Sequence, residues 1–371
     1  MRVPFVNLER EHAALGSELE LAFRTLLATG RFVLGPAVDD FERRAARFLG
    51  VRHAIGVSCA SDALVIALQA AGVRPGDEVV TSPFSFFATA GSILRVGARP
   101  RFVDVEPGTL NLDPRGLDDA ISPRTRAVLP VHLFGVPARM KEILEIAGAH
   151  GVPVVEDAAQ AFGSRSGQRA AGTHGALGCF SFFPTKVLGA IGDAGLVVTE
   201  DDQLAERCRR SRRHGATAAG EYVEVGGNYR MDAVQAAILS VKIEYVGQWI
   251  ALRRAHARAY DDALGSLHGV SLLEHGDPSS WNGAGYTIRV HEGRRDVLRA
   301  HLEARAIETF VYYPSPIHRQ PAIASLGLDP VDLPESELAA REVLSLPVHP
   351  LMTDAERDSV IDAVRAFFAS A

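Results

Sequence analysis

The chain has 371 residues, 47% of them hydrophobic and 23% charged, which excludes a disordered tail and suits a large folded domain with a smaller one. Its net charge of −6 argues against nucleic acid as a partner, and three cysteines (Cys59, Cys179 and Cys208) are too few and too scattered for a disulfide framework or a metal site. The charged first residues and the lack of an 18-residue apolar run predict a cytoplasmic protein without a signal peptide or a membrane segment.

The first 245 residues alternate helical patterns with short apolar runs. The predicted helices cover residues 38–49, 62–71, 87–96 and 137–150. The predicted strands cover residues 78–80, 101–105, 127–131, 153–157 and 179–185. This alternation predicts an α/β domain with βαβ units and a mostly parallel sheet, and ligands of such sheets gather at the carboxyl ends of the strands.

The pattern changes after residue 245. A long helix is predicted at 248–264, and later helices at 294–305, 335–345 and 353–368. Strands are predicted at 285–290 and 308–313. We therefore expect two domains, a large α/β domain at 1–245 and a small α+β domain at 246–371.

Only three lysines stand among the 39 basic residues, so each is a candidate for a role that arginine cannot fill. Lys141 is interpreted as a solvated surface residue. Lys242, in an apolar helical stretch, is interpreted as a side chain that buries its stem and extends its charge to water. Lys186 lies between an apolar aromatic strand and a glycine-rich turn, so we expect a desolvated, nucleophilic amine there rather than an ordinary loop lysine.

Three further patterns accompany Lys186. Asp157 ends a buried strand, and Gln160 would share its face if a helical turn begins there, although a plain helix cap explains Asp157 equally well. The turn 58–61 precedes a helix and suits an anion or a plain cap, with Ser61 and Ser181 as further donors. An aromatic ring from 84–87 could stack on a planar ligand or pack in the core. Together these parts match the needs of pyridoxal 5'-phosphate (PLP).

The sequence resembles the sugar aminotransferases of the DegT/DnrJ/EryC1/StrS family, which have the aspartate-aminotransferase-type fold (fold type I). The matching stretches are 3–8, 29–35, 76–80, 130–135, 156–161, 181–186, 227–232 and 235–237. The stretch Ser-Phe-Phe-Pro-Thr-Lys that ends at Lys186 is the most specific. The resemblance covers nearly the whole chain and implies a mixed, mostly parallel central sheet.

The resemblance implies roles around the cofactor ring. Lys186 would be the catalytic Schiff-base lysine and the base that moves a proton between substrate and cofactor. Asp157 would pair with the pyridine nitrogen, Gln160 with the phenolic oxygen, and Phe86 would stack on the ring.

The resemblance also implies contacts to the phosphate and the substrate. Ala60, Ser61 and Ser181 would hold the phosphate, and Asn228 would reach it from the neighbouring subunit, so that a homodimer shares its active sites. The residues expected to contact the sugar nucleotide are Tyr312, Tyr313 and His318. His132 is either near the cofactor or a structural core histidine.

The chain departs from the family pattern at three positions. Ala60 replaces a usual glycine, which preserves the backbone donors only if its φ is negative. Val187 replaces a common asparagine, and Ala194 replaces a common glycine. None of the three changes removes a chemical group that the reaction needs.

The predicted function is PLP-dependent transfer of an amino group from L-glutamate to a nucleotide-linked keto-sugar, with 3-keto favoured over 4-keto. The product would be an amino sugar for a surface polysaccharide or a secondary metabolite. One alternative is a dehydratase of the same fold, in which histidine replaces the lysine. The others are a non-catalytic regulator and a nicotinamide-dependent oxidoreductase, whose G-x-G-x-x-G motif does not follow the first strand.

Overall fold

A mixed β-sheet forms the centre of the N-terminal part in the computed structural model, which describes residues 1–277, 279–328 and 331–369. The strands of this part are β1 (His53–Val57), β2 (Glu78–Thr81), β3 (Arg99–Phe102), β4 (Thr125–Leu129), β5 (Val155–Asp157), β6 (Arg165–Ser166), β7 (Arg169–Ala170), β8 (Leu177–Ser181) and β9 (Gly195–Thr199). In the described ranges the sheet has the order β3-β2-β4-β5-β8-β9-β1, and parallel bridges join β4 to β5. Strand β9 is antiparallel to both its neighbours, so the other six run in one direction. Strands β6 and β7 form a separate short hairpin.

Helices cover this sheet. They are α1 (Leu8–Thr29), α2 (Pro36–Leu49), α3 (Ala60–Ala70), α4 (Ala88–Arg95), α5 (Leu117–Ala120), α6 (Met140–Ala149), α7 (Asp202–Ser211) and α8 (Ala233–Lys242). Helix α2 buries Val38, Phe41, Ala45 and Leu49, whose spacing of three or four residues places them on one face. Helix α3 is buried on nearly all sides because it lies between the sheet and other helices.

The C-terminal part is a smaller α+β layer. Its elements are α9 (Val246–Leu264), β10 (Val270–Leu272), β11 (Tyr286–Val290), α10 (Arg295–Glu303), α11 (Pro321–Ala324), α12 (Pro334–Glu342), β12 (Val343–Leu346) and α13 (Asp354–Ala369). The strands form an antiparallel sheet in the order β10-β11-β12. Helix α9 joins the two parts, because Ile250 packs in the core beneath α2 whereas Leu264 packs beside α13.

The N-terminal residues also pack on this C-terminal layer. Val3 is buried in its core and forms a parallel bridge with Ile307. The boundary at residue 245 stays a prediction. Across the part of the chain that is described, no helix is both long and apolar enough to cross a membrane, and the cytoplasmic location also stays a prediction.

The structure corrects three local predictions. Residues 308–313 do not form a strand, and Phe310 makes one isolated bridge to Ser345. The helix predicted at 335–345 ends at Glu342, because the following buried apolar residues pair with β11 as β12. Gln160 lies in a tight turn rather than a helix. Helix α1 was not predicted because few of its 22 residues are buried, which leaves a weak apolar pattern.

Candidate active site

Most of the predicted cofactor-binding residues lie at one edge of the central sheet. Strands β1, β2, β5 and β8 are parallel, and their carboxyl ends lead into the turn 58–61, the segment 82–87, Asp157 and Ser181. This edge is where open α/β sheets bind their ligands. The topology therefore brings together segments that are more than a hundred residues apart in the sequence.

Asp157 is the buried carboxylate at this edge, with 4% of its surface exposed. Its Oδ2 accepts a hydrogen bond from the Thr89 hydroxyl at 2.8 Å, and its Oδ1 accepts one from the Ala159 backbone N–H at 3.2 Å. Burial raises the pKa of Asp157, whereas these two donors and the charge of Lys186 act in the opposite direction. The site therefore contains a desolvated carboxylate that a buried cation would stabilise.

Thr89 is a site residue that the sequence analysis missed. Its hydroxyl proton is donated to Asp157, so the Ser85 hydroxyl, 2.9 Å away, donates to the Thr89 oxygen. Both residues are buried near the start of α4. The sequence contains one signal of this role: two hydroxyl residues, Ser85 and Thr89, stand four positions apart at the start of the predicted helix, next to the phenylalanines of 84–87.

Lys186 is carried by a short turn after β8. We define residues 182–190 as the lysine turn. It is closed by a hydrogen bond from the Ala190 N–H to the Phe182 carbonyl at 2.8 Å, and the Lys186 N–H donates to the Phe183 carbonyl at 2.8 Å. The turn projects the lysine from the same sheet edge that carries Asp157.

The electrostatic surroundings of Lys186 match the sequence expectation. Burial lowers the pKa of its amine from 10.5 to about 8, and the charge of Asp157 acts in the opposite direction. A lower pKa leaves more of the amine unprotonated near neutral pH, and the unprotonated amine is the nucleophile. The side chain can therefore react with an aldehyde.

The start of α3 forms the predicted anion site. In the described chain its first turn has no side-chain cap, and Cys59 precedes it in an extended conformation with φ −164° and ψ 170°. Ala60 is the first residue of the helix, where φ is negative, so the backbone donors survive the replacement of the usual glycine. A Cβ added to Gly195 would lie 2.4 Å from the Cys59 carbonyl carbon, so only glycine allows β9 to approach this turn.

Gln160 connects the sheet edge with the C-terminal part. Its side-chain oxygen accepts a hydrogen bond from the Phe134 N–H at 2.6 Å, and its side-chain nitrogen donates to the Tyr313 hydroxyl at 3.3 Å. Tyr312 stacks on Phe310 with ring centroids 5.7 Å apart. The structure therefore brings Gln160 and Tyr313 into contact.

The remaining predicted residues are less buried than Asp157. Phe86 is 61% exposed, unlike the buried Phe84, so its ring is available to a ligand. The Ser181 hydroxyl is half-buried and accepts a hydrogen bond from a backbone N–H at 3.3 Å. Asn228 is exposed in the single chain. The Nε2 of His318 lies 3.2 Å from Oε1 of Glu337. The roles predicted for all four residues stay predictions.

His132 is a structural core histidine. It is fully buried, its Nδ1 accepts a hydrogen bond from the Ala138 N–H at 3.0 Å, and its Nε2 therefore donates to Glu156 at 2.8 Å. Burial disfavours the charged form of Glu156, but hydrogen bonds from His132 and from the Gly175 backbone lower its pKa. This network holds the layer behind Asp157.

The arrangement fits PLP. The desolvated amine of Lys186 suits the aldehyde, the buried carboxylate of Asp157 suits a protonated pyridine nitrogen, and the uncapped start of α3 suits the phosphate. Val187 and Ala194 are buried core residues that leave these groups in place. The fold is that of fold-type-I PLP-dependent enzymes, and the residues of the site fit their cofactor.

The sequence comparison identifies the family. The profile of the DegT/DnrJ/EryC1/StrS aminotransferase family matches residues 14–365, and the chain belongs to this family. A pleiotropic regulatory protein of Geobacillus stearothermophilus is 44% identical over 99% of both chains. The dTDP-3-amino-3,4,6-trideoxy-alpha-D-glucose transaminase of Streptomyces venezuelae is 40% identical over 98% of this chain and 96% of the relative. The UDP-2-acetamido-2-deoxy-3-oxo-D-glucuronate aminotransferase of Pseudomonas aeruginosa is 40% identical over 95% and 97%.

Solved structures agree with this assignment. S. venezuelae DesV in complex with a ketimine intermediate superposes with a TM-score of 0.95 at 40% identity, covering 99% of this chain and 98% of DesV. NtdA from Bacillus subtilis with the bound cofactor PMP superposes with a TM-score of 0.92 at 30% identity, covering 99% and 85%. The predictions of the family, the fold class and an aminotransferase are confirmed.

Proposed function

We propose that this protein transfers an amino group from L-glutamate to a nucleotide-linked 3-keto sugar, with PLP bound at Lys186. The observation that carries the proposal is the electrostatic attraction between a lysine amine, whose pKa burial lowers to about 8, and the buried carboxylate of Asp157. Two of the relatives are named for sugars altered at position 3, one as a 3-amino and one as a 3-oxo compound. The product would be an amino sugar for a surface polysaccharide or a secondary metabolite.

Three residues of this chain would have different roles at the cofactor. When bound, PLP supplies an aldehyde and an electron-accepting ring. Lys186 would hold PLP through a bond from its Nζ to the aldehyde carbon. Once the amine of the donor replaces that bond, the same Nζ would accept a proton from the substrate carbon and return it to the cofactor carbon. Asp157 would stabilise a positive charge on the ring nitrogen, and the side-chain nitrogen of Gln160 would donate to the ring oxygen. Because both halves of the cycle use the Lys186 amine, its loss would stop both.

One of the remaining cofactor contacts would come from a second copy of the chain. Ala60, Ser61 and Ser181 would hold the phosphate, and Phe86 would cover one face of the ring. Asn228 would reach the phosphate from the other subunit. Several large apolar side chains are exposed in the single chain, as expected of a surface that a second copy covers. They include Phe86, Phe183, Ile191, Tyr222 and Val225.

The substrate would bind where the C-terminal part meets the sheet edge. Tyr313 contacts Gln160 there, Tyr312 is its neighbour, and both are half-buried. His318 is the third residue that we assign to the sugar nucleotide. In this proposal the two tyrosines orient the sugar so that its carbonyl meets the bound amine.

A regulatory role is the second candidate, because one relative is named a pleiotropic regulatory protein. A regulator of this fold has no need for a reactive lysine beside a buried carboxylate, whereas this chain keeps both. A dehydratase of this fold has histidine in place of the lysine. Lys186 therefore favours the aminotransferase over both alternatives.

The experiment that tests the proposal is an absorbance spectrum of the protein with PLP, before and after L-glutamate is added. We expect a visible band that glutamate bleaches and that a nucleotide-linked 3-keto sugar restores. Lys186→Arg is the matched variant, because it keeps the charge but cannot bond to the aldehyde. A band that glutamate leaves unchanged would contradict the donor, and no band in the unaltered protein would favour the regulator.

A further inference from the structure

The structure corrects the interpretation of Lys242. The side chain was expected to extend to water, but it is completely buried, with 0% exposure. Its Nζ donates to Glu11 at 2.8 Å, to the Gly189 carbonyl at 2.9 Å and to the His12 Nε2 at 3.3 Å. All three donor positions of the ammonium are therefore used, at a point where α1, α8 and the lysine turn meet.

Gly189 is part of the lysine turn. A Cβ added to Gly189 would lie 2.2 Å from the carbonyl oxygen of Pro184, so the backbone folds back on itself around Lys186. Helix α8 also holds the segment just beyond the turn, because the Gln235 side chain accepts a hydrogen bond from the Ile191 N–H at 3.0 Å. The contact from Lys242 is a charge-assisted hydrogen bond, which is stronger than one between neutral groups.

We propose that Lys242 is a positioning residue for Lys186. Its ammonium, held by Glu11 on α1, anchors the Gly189 carbonyl and thereby fixes the lysine turn. The inference rests on the proposed function in one respect: the position of Lys186 matters for the chemistry because Lys186 binds PLP in that proposal.

The buried ion pair of Lys242 and Glu11 also has a simpler explanation, a purely electrostatic role, which the test must distinguish from the positioning role. Lys242 would then only neutralise Glu11, and removing both charges together would cost little, because a buried pair replaced by neutral groups is often tolerated. Under our proposal the loss of both charges still releases the Gly189 carbonyl. The double variant Glu11→Gln with Lys242→Met therefore distinguishes the two explanations, and it also avoids leaving an unpaired buried carboxylate.

The experiment is hydrogen–deuterium exchange of the cofactor-free protein, read on peptides that cover the lysine turn. We expect exchange there to accelerate at least about tenfold in Lys242→Met and in the double variant, as expected from the loss of one hydrogen bond to a charged group. Lys141→Met, the same change at an exposed lysine, should leave it unchanged. Wild-type exchange in the double variant would overturn the proposal.

A second readout connects the turn with the chemistry. In the double variant, the visible band of lysine-bound PLP should form at least about tenfold more slowly than in Lys141→Met. Equal rates would also overturn the proposal. Failure of the unaltered protein to bind PLP would instead contradict the proposed function, and the exchange experiment would still decide whether Lys242 fixes the turn.

Discussion

At the scale of single residues, the site combines a carboxylate and an amine, Asp157 and Lys186, which carry opposite charges when they are ionised. Burial raises the pKa of Asp157 and lowers that of Lys186, so each group is pushed towards its neutral form, while the attraction between them favours the charged forms. Thr89 opposes the effect of burial on Asp157, because its hydroxyl proton goes to the carboxylate and Ser85 supplies the compensating donor. The ionisation of Asp157 therefore depends on the hydroxyl of Thr89, a residue of α4 rather than of the lysine turn or the turn 58–61.

Replacing Thr89 tests this dependence. Thr89→Val keeps the shape but removes the donor, so we expect the glutamate half-reaction to slow by roughly 10- to 100-fold. Thr89→Ser keeps the hydroxyl and should stay close to the unaltered protein. The measurement is the rate at which glutamate bleaches the visible band, and equal rates in the valine and serine variants would contradict the prediction.

The lowered pKa of Lys186 predicts a pH dependence for cofactor capture. With a pKa of about 8, roughly a tenth of the amine is unprotonated at pH 7, against about one part in three thousand at the ordinary value of 10.5. The rate at which the cofactor-free protein captures PLP should therefore rise with pH and level off above about pH 8. Stopped-flow absorbance between about pH 6 and pH 10 measures it, and a rate still rising at pH 10 would contradict the lowered pKa.

At the scale of elements, the first turn of α3 and the first residue of β9 are packed backbone against backbone. Gly195 begins β9 opposite Val57 of β1 and Ser181 of β8, directly beside the turn that precedes α3. A side chain at this position would move the N–H groups of the anion site. The close approach thus couples the antiparallel strand to phosphate binding.

Gly195→Ala tests this coupling. Its Cβ would lie 2.6 Å from the Cys59 carbonyl oxygen and 2.7 Å from the Ala60 nitrogen, and backbone atoms there cannot easily yield. We expect the dissociation constant for PLP to rise at least about tenfold, consistent with the usual loss per disturbed charge-assisted hydrogen bond. Gly16→Ala is the matched control, because Gly16 lies in α1 with open space around its Cβ position. Equal affinities in the two variants would refute the prediction.

At the scale of the whole molecule, the single chain leaves its reactive edge incompletely covered. Phe86 is exposed beside the site, and Val225, at the surface three residues before Asn228, is 94% exposed. In the proposed homodimer a second copy covers these side chains and contributes its own Asn228. Each site would then combine Lys186 of one chain with Asn228 of the other.

Mixing two inactive variants tests this shared site. Lys186→Ala and Asn228→Ala should each be nearly inactive alone. If they are unfolded and refolded together, half of the random dimers are mixed, and each mixed dimer contains one intact site, so about a quarter of the activity should return. Co-refolding either variant with itself is the control, and no recovery in the mixture would indicate that Asn228 serves its own chain.

The sequence was informative where residue type alone implies chemistry. Lys186 could be singled out because a lysine between an apolar strand and a glycine-rich turn has few common explanations. Asp157, which a plain helix cap explains equally well, gained weight only together with the other patterns of the site and the family resemblance. Thr89 could not be predicted, because its partner Asp157 is 68 positions away and only the sheet brings them together. Lys242 was misinterpreted for the same reason, because its contacts with Glu11 and Gly189 join three distant segments. The error at residues 308–313 is of the opposite kind. Their local apolar character predicted a strand, but in the structure these residues do not pair as one.

Strand β5 places two neighbouring carboxylates in opposite directions. Glu156 faces the structural layer of His132 and Gly175, whereas Asp157 faces Thr89. A shift of the strand by one position would send each side chain to the other face. A single-residue insertion or deletion in β5 would therefore turn the structural acid, Glu156, and the reactive acid, Asp157, to each other's side of the sheet. This three-residue strand should tolerate substitution of its one neutral residue, Val155, far better than any change in its length.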